Sequence, residues 1–355
     1  MKKFLKTILI ILLVLVVIVA GYVAYVFISY HRIPDNQVLD VEAQQNAKAQ
    51  AGMEYKVLSW NLGFGAYSRD FSFFMDGGKY SWAYSKDEVI RNITASAGRT
   101  ADQAPDFVLF QEVDTDSTRA YHVNEALLLA DNLPGYGYVQ ACNYDSPFLF
   151  YPFTQPHGKS VAELMTMTAF HADSALRRSL PVETGFMKFL DLDRCYSITD
   201  IPVDNGKTLR LYNLHLSAYT SDGTIADEQI DMLLADMAKD YAAGNYIIAG
   251  GDFNKDLLGD SSVYFGVSAG EQTWAQPFPT DKLPDYLSLQ APLDENAPVP
   301  SCRNCDTGYI PGQTFVLVVD GFLVSDNVTV LEKHVIDADF ETSDHNPVSM
   351  TFVLN

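Results

Sequence analysis

Hydrophobic positions along the chain follow two different patterns. From Thr7 to Ile28 the sequence is apolar and carries no charge, whereas from Tyr55 onward short apolar runs alternate with stretches in which apolar residues recur every three or four positions. Short apolar runs are typical of buried strands, and the wider spacing is typical of helices that bury one face. The second pattern predicts an α/β (α+β) domain in which strands and helices are mixed along the chain.

The predicted elements alternate between the two types. Ser85-x-x-Glu88 is a capping box, which indicates the start of a helix. A second helix is expected over residues 225–243, and Asn205-Gly206 indicates a hairpin turn. Strands are expected at residues 55–60, 107–110, 209–214, 246–250 and 347–354, with further strands and turns over 163–212. This mixture, with hairpin signals, predicts two packed sheets flanked by helices.

The apolar run near the N-terminus is long enough to cross a bilayer, which takes about 20 helical residues. Lys2, Lys3 and Lys6 precede it, and this positive charge predicts that the N-terminus is cytoplasmic. A cleaved signal peptide is the alternative, although its apolar core is shorter, about 7–15 residues. The sequence therefore predicts a single-pass cell-membrane protein with a cytoplasmic segment (1–6), a transmembrane anchor (7–28), a juxtamembrane linker (29–52) and an extracellular domain (53–355).

The chain is acidic, with 24 Lys and Arg against 45 Asp and Glu and a formal net charge of -21. Such a surface repels a nucleic-acid backbone, so tight non-specific DNA binding is disfavoured. Four cysteines, Cys142, Cys195, Cys302 and Cys305, could form disulfides in an exported domain or remain thiols. Cys302-x-x-Cys305 is interpreted as a loop disulfide or a pair of thiols rather than a zinc site, because no second pair has matching spacing.

Polar residues able to bind metal or transfer protons repeatedly follow the apolar runs. Loops at strand ends are where a rigid sheet presents catalytic groups. Each such residue alone is a weak signal, but their number and order point to one site near the irregular, Pro-, Gly- and Asp-rich region 261–313. The residues are Asn61, Glu112, His215, Asp252, Asn254, Asp320, Asp344 and His345.

Two motifs are the most specific, Gly251-Asp252-Phe253-Asn254 and Ser343-Asp344-His345-Asn346-Pro347. With them, nearly all of residues 55–355 resembles the endonuclease/exonuclease/phosphatase superfamily, which includes pancreatic-type DNases, neutral sphingomyelinases and inositol polyphosphate phosphatases. The resemblance implies a four-layer sandwich of two mixed β-sheets flanked by helices. It also implies Mg²⁺-dependent cleavage of a phosphate ester, with Mn²⁺ or Ca²⁺ as alternative ions.

The residue types suit that chemistry. Oxygen donors bind Mg²⁺, so Glu112, Asn61 and Asp344 are the expected metal ligands. Asp252 is expected to orient or deprotonate the attacking water, and Asn254 to help hold that water or a phosphate oxygen. His345, oriented by Asp320, and His215 are expected to transfer protons or stabilise the anionic transition state. A further pair is expected to reach substrate phosphate, with a solvated helix start as the equal alternative: Arg119 and His122.

The leading hypothesis is a membrane-anchored, metal-dependent phosphoesterase acting on a phosphate mono- or diester. The acidic balance and the anchor favour a lipid head group or small phosphodiester, and a nuclease acting on nucleic acid is a close rival. A non-catalytic binding domain that keeps the fold is a third reading. Besides the substrate, the membrane is the only partner that the sequence predicts.

Overall fold

Two mixed β-sheets lie face to face in the computed structural model, which describes residues 2–182, 184–185, 188, 193–218, 224–268, 270, 274 and 276–355. The strands of the first sheet are β2 (Glu54–Asn61), β3 (Phe107–Asp114), β4 (Gly137–Asp145), β5 (Val161–Thr168), β14 (Val328–Val335) and β15 (Val348–Leu354). Their order is β14-β15-β2-β3-β5-β4. This six-stranded sheet contains the first predicted strand, the second and the last.

The second sheet has seven strands. They are β1 (Gln37–Leu39), β6 (Ser174–Ser179), β7 (Cys195–Pro202), β8 (Thr208–His215), β9 (Tyr246–Asp252), β10 (Leu287–Gln290) and β13 (Asp320–Ser325). Their order is β1-β6-β7-β8-β9-β13-β10, and a separate pair is formed by β11 (Cys302–Arg303) and β12 (Val316–Leu317). The predicted hairpin at Asn205-Gly206 joins β7 to β8, with Gly206 at a φ of 85°.

Helices cover the outer faces of both sheets. They are α2 (Lys86–Gln103) and α3 (Glu125–Asn132) on the six-stranded sheet, α4 (Thr224–Ala242) on the seven-stranded sheet, and the short α5 (Ser262–Phe265). Ser85 caps α2 as predicted, because its side chain accepts from the backbone N of Glu88 at 3.1 Å. The four-layer sandwich expected from the resemblance is therefore confirmed.

Alternation along the strands divides the core into layers. In β3, Phe107 and Leu109 face the other sheet, whereas Val108 and Phe110 face α2 and α3. This two-residue period is what a strand buried on both faces requires. On the opposite sheet, Ile248 belongs to the core between the sheets. Apolar packing between the inner faces thus helps to hold the two sheets together.

The segments around the domain differ in part from the sequence-based expectations. β1 lies within the stretch 29–52 that was predicted as a linker, and it pairs antiparallel with β6, so this part belongs to the folded domain. The irregular region 261–313 contains α5, β10 and β11, although residues 269, 271–273 and 275 lie outside the described residues. Some residues of the stretch 163–212 also lie outside them.

The N-terminal apolar run forms one helix, α1 (Lys2–Ser29). Its most apolar window has a mean hydropathy of 3.1, and none of that window is buried against the rest of the protein. By length and composition this helix can cross a membrane.

Candidate active site

The predicted site residues lie together at one edge of the two packed sheets. β2 and β3 run parallel, as do β8 and β9, so their carboxyl ends lie at one edge of each sheet. β15 runs antiparallel to β2 and β13 antiparallel to β9, which brings their amino ends to the same edge. We call this the catalytic edge. It carries Asn61, Glu112, His215, Asp252, Asp320, Asp344 and His345.

Glu112 is aimed by an irregularity in β3. The pairing of β3 with β5 shifts register between Phe110 and Val113, and Glu112 has a φ of 52°. A non-glycine residue in this conformation costs about 1–2 kcal/mol and persists only where its surroundings impose it. The bulge leaves Gln111 fully buried and turns Glu112 to a partly exposed position. Strain is therefore localised at the residue expected to bind metal.

Asp252 and His215 are brought together by a glycine. A Cβ on Gly251, which has a φ of 145°, would lie 2.0 Å from the carbonyl oxygen of Leu214. Only glycine permits this approach of β8 to β9. As a result, Nε2 of His215 lies 3.4 Å from Oδ2 of Asp252. The other carboxylate oxygen of Asp252 accepts from the backbone N of Asn254 at 2.8 Å.

His345 connects two carboxylates. Its Nδ1 donates to Oδ2 of Asp320 at 2.8 Å, and its Nε2 lies 3.8 Å from Oδ2 of Asp252. Burial is the largest single effect and opposes a charge on this imidazole, but the Asp320 carboxylate and the Cys302 side chain together outweigh it and raise the pKa of His345. This histidine is therefore expected to be protonated at neutral pH.

Burial shifts the pKa values of Asp252 and His215 in directions that suit proton transfer. It raises the pKa of Asp252 to about 7, with His345 opposing and Asp320 adding to the shift. Burial also lowers the pKa of His215, and the positive charges of Arg194 and His345 lower it further. The edge thus combines a carboxyl that titrates near neutrality with one neutral and one cationic imidazole.

The expected metal ligands form a separate group around Asn61. Its Nδ2 donates to Oε1 of Glu112 at 3.2 Å and to Oδ2 of Asp252 at 3.1 Å, while its Oδ1 accepts from the backbone N of Gly63. Burial raises the pKa of Glu112; Arg119 lowers it and Asp344 raises it. A divalent cation would offset the repulsion between Glu112 and Asp344, and hard oxygen donors suit Mg²⁺, Mn²⁺ or Ca²⁺. Glu112 and Asp344 therefore fit a metal, whereas Asn61, which was expected to supply its amide oxygen, directs its amide N–H groups to Glu112 and Asp252.

A second group could also hold a metal ion. Single ligand atoms of Asp252, Asp320 and His345 lie within 4.8 Å of one another. The imidazole already donates to Asp320 through Nδ1, an arrangement that is common for catalytic as well as for metal-bound histidines.

Arg119 and His122, which were expected to contact substrate phosphate, have other partners. Arg119 is buried and donates through Nε and Nη2 to both oxygens of Asp114, each at 2.9 Å. His122 is exposed and bonds through Nδ1 to Asp116 at 2.6 Å. Neither side chain is brought into the group at the catalytic edge. Arg119 acts on that group only through its charge, which lowers the pKa of Glu112.

Asn254, which was expected to help hold the water or a phosphate oxygen, has its amide nitrogen engaged within the protein. Its Nδ2 donates to the carbonyl oxygen of Leu216 at 2.8 Å, and its φ of 48° aligns its backbone N–H with Asp252. These contacts make Asn254 a residue that positions Asp252.

Some supporting residues were not predicted. Nε2 of Gln111 donates to Oδ1 of Asn213 at 2.8 Å, which joins β3 of one sheet to β8 of the other. The hydroxyl of Ser343 donates to the carbonyl of Asn61 at 2.7 Å and accepts from the backbone N of His345 at 3.1 Å. Gln111, Asn213 and Ser343 each stand within two positions of a residue predicted for the site, but these contacts depend on the packing of the sheets.

The cysteines are free thiols, so the loop disulfide weighed for Cys302 and Cys305 is not formed. Cys302 and Cys305 are buried beside the site, and Sγ of Cys305 lies 3.4 Å from Oδ2 of Asp344. Arg303, between them, is fully buried and donates to the carbonyl oxygens of Ser68 and Phe71. This segment therefore helps to hold the loop that carries Asp344.

Comparisons with known proteins show that solved structures share this fold, among them the following three. An endonuclease/exonuclease/phosphatase from Beutenbergia cavernae has a TM-score of 0.57 at 17% identity, covering 85% of this chain and 72% of that one. D. rerio TDP2, complexed with a single-strand DNA product, has a TM-score of 0.53 at 14% identity, with coverages of 84% and 98%. ANGEL2, described as a 2',3'-cyclic phosphatase, has a TM-score of 0.53 at 14% identity, with coverages of 92% and 99%.

No curated protein matches the chain in sequence. The sequence profile of the Endonuclease/Exonuclease/phosphatase family matches residues 58–345, which include every residue of the catalytic edge. The chain therefore belongs to the endonuclease/exonuclease/phosphatase family.

Proposed function

We propose that the protein is a membrane-anchored, metal-dependent phosphoesterase that uses water to cleave a phosphate ester. The observation that carries the proposal is the buried cluster in which Asp252 lies within 4 Å of both His215 and His345, with Asp320 behind His345. Buried charged and titratable groups are costly, so a cluster of four without a structural need is typical of a catalytic site.

The side chains divide the chemistry between them. Asp252, with a pKa of about 7, accepts a proton from the attacking water and orients it. His345, kept cationic by Asp320, stabilises negative charge that develops on the phosphoryl oxygens. His215, which is neutral, donates hydrogen bonds to a phosphoryl oxygen or to the leaving group. Asn254 keeps the Asp252 carboxylate in place through its backbone N–H.

Glu112 and Asp344 are the residues that would hold a divalent cation, with Asn61 beside them. When bound, the cation supplies positive charge that neutralises the phosphate ester and polarises its oxygens. The neighbouring Arg119–Asp114 ion pair fixes the guanidinium charge close to Glu112, and that charge favours the ionised form of Glu112.

Hydrolysis by the full chain in detergent tests the proposal. The expected result is Mg²⁺-dependent release of nitrophenolate from bis-p-nitrophenyl phosphate, which chelation abolishes. Asp252→Asn is expected to lower the rate by about 100-fold or more. Asp285→Asn, an identical change at an exposed carboxylate, should leave the rate unchanged. Absence of metal-dependent hydrolysis, or equal rates for wild type and Asp252→Asn, would support a non-catalytic binding domain instead.

The nuclease alternative is favoured by one comparison, because TDP2 was solved with a DNA product. The net charge of -21 and the apolar helix α1 favour a lipid head group or small phosphodiester. Plasmid DNA, sphingomyelin vesicles and phosphoinositide vesicles assayed side by side distinguish the two. Faster cleavage of DNA would establish the nuclease reading.

The anchor is proposed to hold the domain outside the cell, because three lysines precede α1. Protease added to intact cells should degrade the domain, and the full-length chain should sediment with membranes. A shortened, soluble protein in the native host would show that the segment is a cleaved signal peptide.

A further inference from the structure

The apolar helix α1 is tied to one loop of the folded domain. The hydroxyl of Tyr25 accepts from the backbone N of Phe148 at 3.0 Å, and that of Tyr22 accepts from the backbone N of Phe150 at 2.9 Å. The Tyr22 and Phe150 rings also meet, with centroids 6.3 Å apart. Residues 146–160, which we call the aromatic loop, are therefore fixed to the last turns of α1.

The tip of the aromatic loop is an exposed apolar patch. Residues 148–153 read Phe-Leu-Phe-Tyr-Pro-Phe and carry no charge, in a chain with a net charge of -21. Phe150, Tyr151 and Phe153 are 50%, 63% and 76% exposed. The ring of Phe153 lies 6.1 Å from that of Phe150 and 5.8 Å from that of Tyr151, so the three form one surface. Contiguous exposed patches of this kind mark interaction sites.

The strand directions place this loop at the catalytic edge. β4 and β3 both pair antiparallel with β5, so they run in the same direction, and Asp145 at the end of β4 shares an edge with Glu112. Neighbouring strands lie about 4.8 Å apart, so β4 lies about 10 Å from β3 across the sheet. The segment after α1 reaches the same edge of the other sheet, where the backbone N of Ser179, at the end of β6, donates to Asp35 at 2.8 Å.

The position along α1 puts the aromatic loop at the depth of a bilayer surface. The hydrocarbon core takes about 20 helical residues, so a span that begins after Lys6 has Tyr22 and Tyr25 in its last turns. Tyrosine is enriched at that boundary. Two charged pairs follow directly, His31 with Asp145 at 3.1 Å and Arg32 with Asp193 at 3.3 Å, at the level of the lipid head groups.

We propose that the aromatic loop inserts its tip into the interface of the lipid bilayer beside α1, so that the catalytic edge faces the membrane. Lipid then covers the exposed patch. The site meets phosphate esters presented at the membrane surface, and substrate approaches along the plane of the bilayer. This inference rests on the membrane anchor of the proposed function.

Cross-linking to lipid tests the insertion without measuring activity. The full chain is reconstituted in phosphatidylcholine vesicles that contain a phospholipid with a photoactivatable diazirine near its carbonyl groups. After illumination, mass spectrometry locates the modified residues. The expected result is modification of both α1 and residues 148–153.

Variants make the outcome specific to the loop. In Phe150→Ser/Phe153→Ser, modification of residues 148–153 is expected to fall by about 10-fold, because the patch no longer partitions into lipid, while modification of α1 persists. Met53 is an exposed apolar residue directly before β2, at the opposite edge. The control variant Met53→Ser should therefore change neither signal. Modification of α1 without the loop would overturn the inference and leave the anchor intact. No modification of α1 would contradict the anchor, and the inference with it.

Discussion

Asp320 accepts a hydrogen bond from Nδ1 of His345 at 2.8 Å, and this contact turns the opposite ring nitrogen towards Asp252. The two residues come from different sheets, since Asp320 begins β13 and His345 precedes β15. A carboxylate on one nitrogen fixes both the tautomer and the orientation of an imidazole. The direction in which His345 presents its second nitrogen therefore depends on how the two sheets are packed together.

Asp320→Asn tests this relationship. The neutral amide does not stabilise the positive charge of the His345 imidazolium, so kcat for bis-p-nitrophenyl phosphate should fall by about 100-fold. Because the pKa of His345 would no longer be raised, the alkaline limb of the rate profile should move to lower pH. Steady-state rates across pH measure both effects, with Asp285→Asn as the control. An unchanged pH profile would argue against the orienting role.

Histidines at and away from the edge should behave differently. His215→Ala removes an imidazole 3.4 Å from Asp252 and should lower kcat by about 100-fold or more. His122→Ala removes an exposed imidazole that contacts only Asp116 among the described hydrogen bonds, so activity should be retained. Steady-state rates of the two variants over a range of substrate concentrations give kcat and KM for each. A large rise in KM for His122→Ala would restore its sequence-based role in binding phosphate.

Gly251→Ala should disrupt the edge without removing any functional group. The added Cβ would lie 2.0 Å from a backbone oxygen, so β8 and β9 must separate, at a cost of about 3 kcal/mol or more. Activity and the midpoint of chemical unfolding in detergent should both fall. Gly98→Ala is the matched control, since its Cβ meets nothing within 4 Å in α2 and should stabilise by about 0.5–1 kcal/mol. Wild-type stability in Gly251→Ala would contradict the close approach.

Glu163 should make stability depend on pH. Burial raises the pKa of its carboxyl from 4.5 to about 7, opposed by a hydrogen bond from Gln140. Between these values the folded state holds a proton that the unfolded state has lost, so this group stabilises the fold at low pH and the contribution is lost as pH rises towards 7. The free energy of unfolding of Glu163→Gln, taken relative to wild type, should therefore be higher at pH 8 than at pH 5 by about 1–3 kcal/mol. Exposed Glu332→Gln should show no such difference in the same unfolding titrations.

The aromatic loop should matter only for substrate in a membrane. Phe150→Ser/Phe153→Ser alters exposed side chains outside the catalytic cluster, so hydrolysis of soluble bis-p-nitrophenyl phosphate should keep its wild-type rate. Hydrolysis of a phosphodiester embedded in vesicles should fall by about 10-fold, because the edge is no longer held against the bilayer. Equal losses on both substrates would indicate general damage to the fold.

The sequence predicts residues beside the ends of buried strands better than it predicts their partners. Asp252 and His345 lie in compact motifs, and the apolar runs beside them show which strand ends present them. The bond between Gln111 and Asn213 joins strands of different sheets, and no local periodicity reports such a contact. Arg119 closely follows Glu112 in sequence, but its Nε and Nη2 donate to the two carboxylate oxygens of Asp114. The sequence alone does not distinguish a basic residue that binds substrate from one that pairs with a buried carboxylate.

The hydrogen bond between Gln111 and Asn213 has a consequence for the life of the molecule in the cell. It lies directly behind Glu112 and His215, so each sheet contributes half of an assembly that neither can complete. Asp344 and His345 stand in the loop before β15 and follow β2, β3, β8, β9 and β13 in the chain, so synthesis delivers the rest of the edge before these two residues. Under the proposed function, a chain in which β15 has not yet added to β2 lacks both residues at the edge and does not hydrolyse phosphate esters.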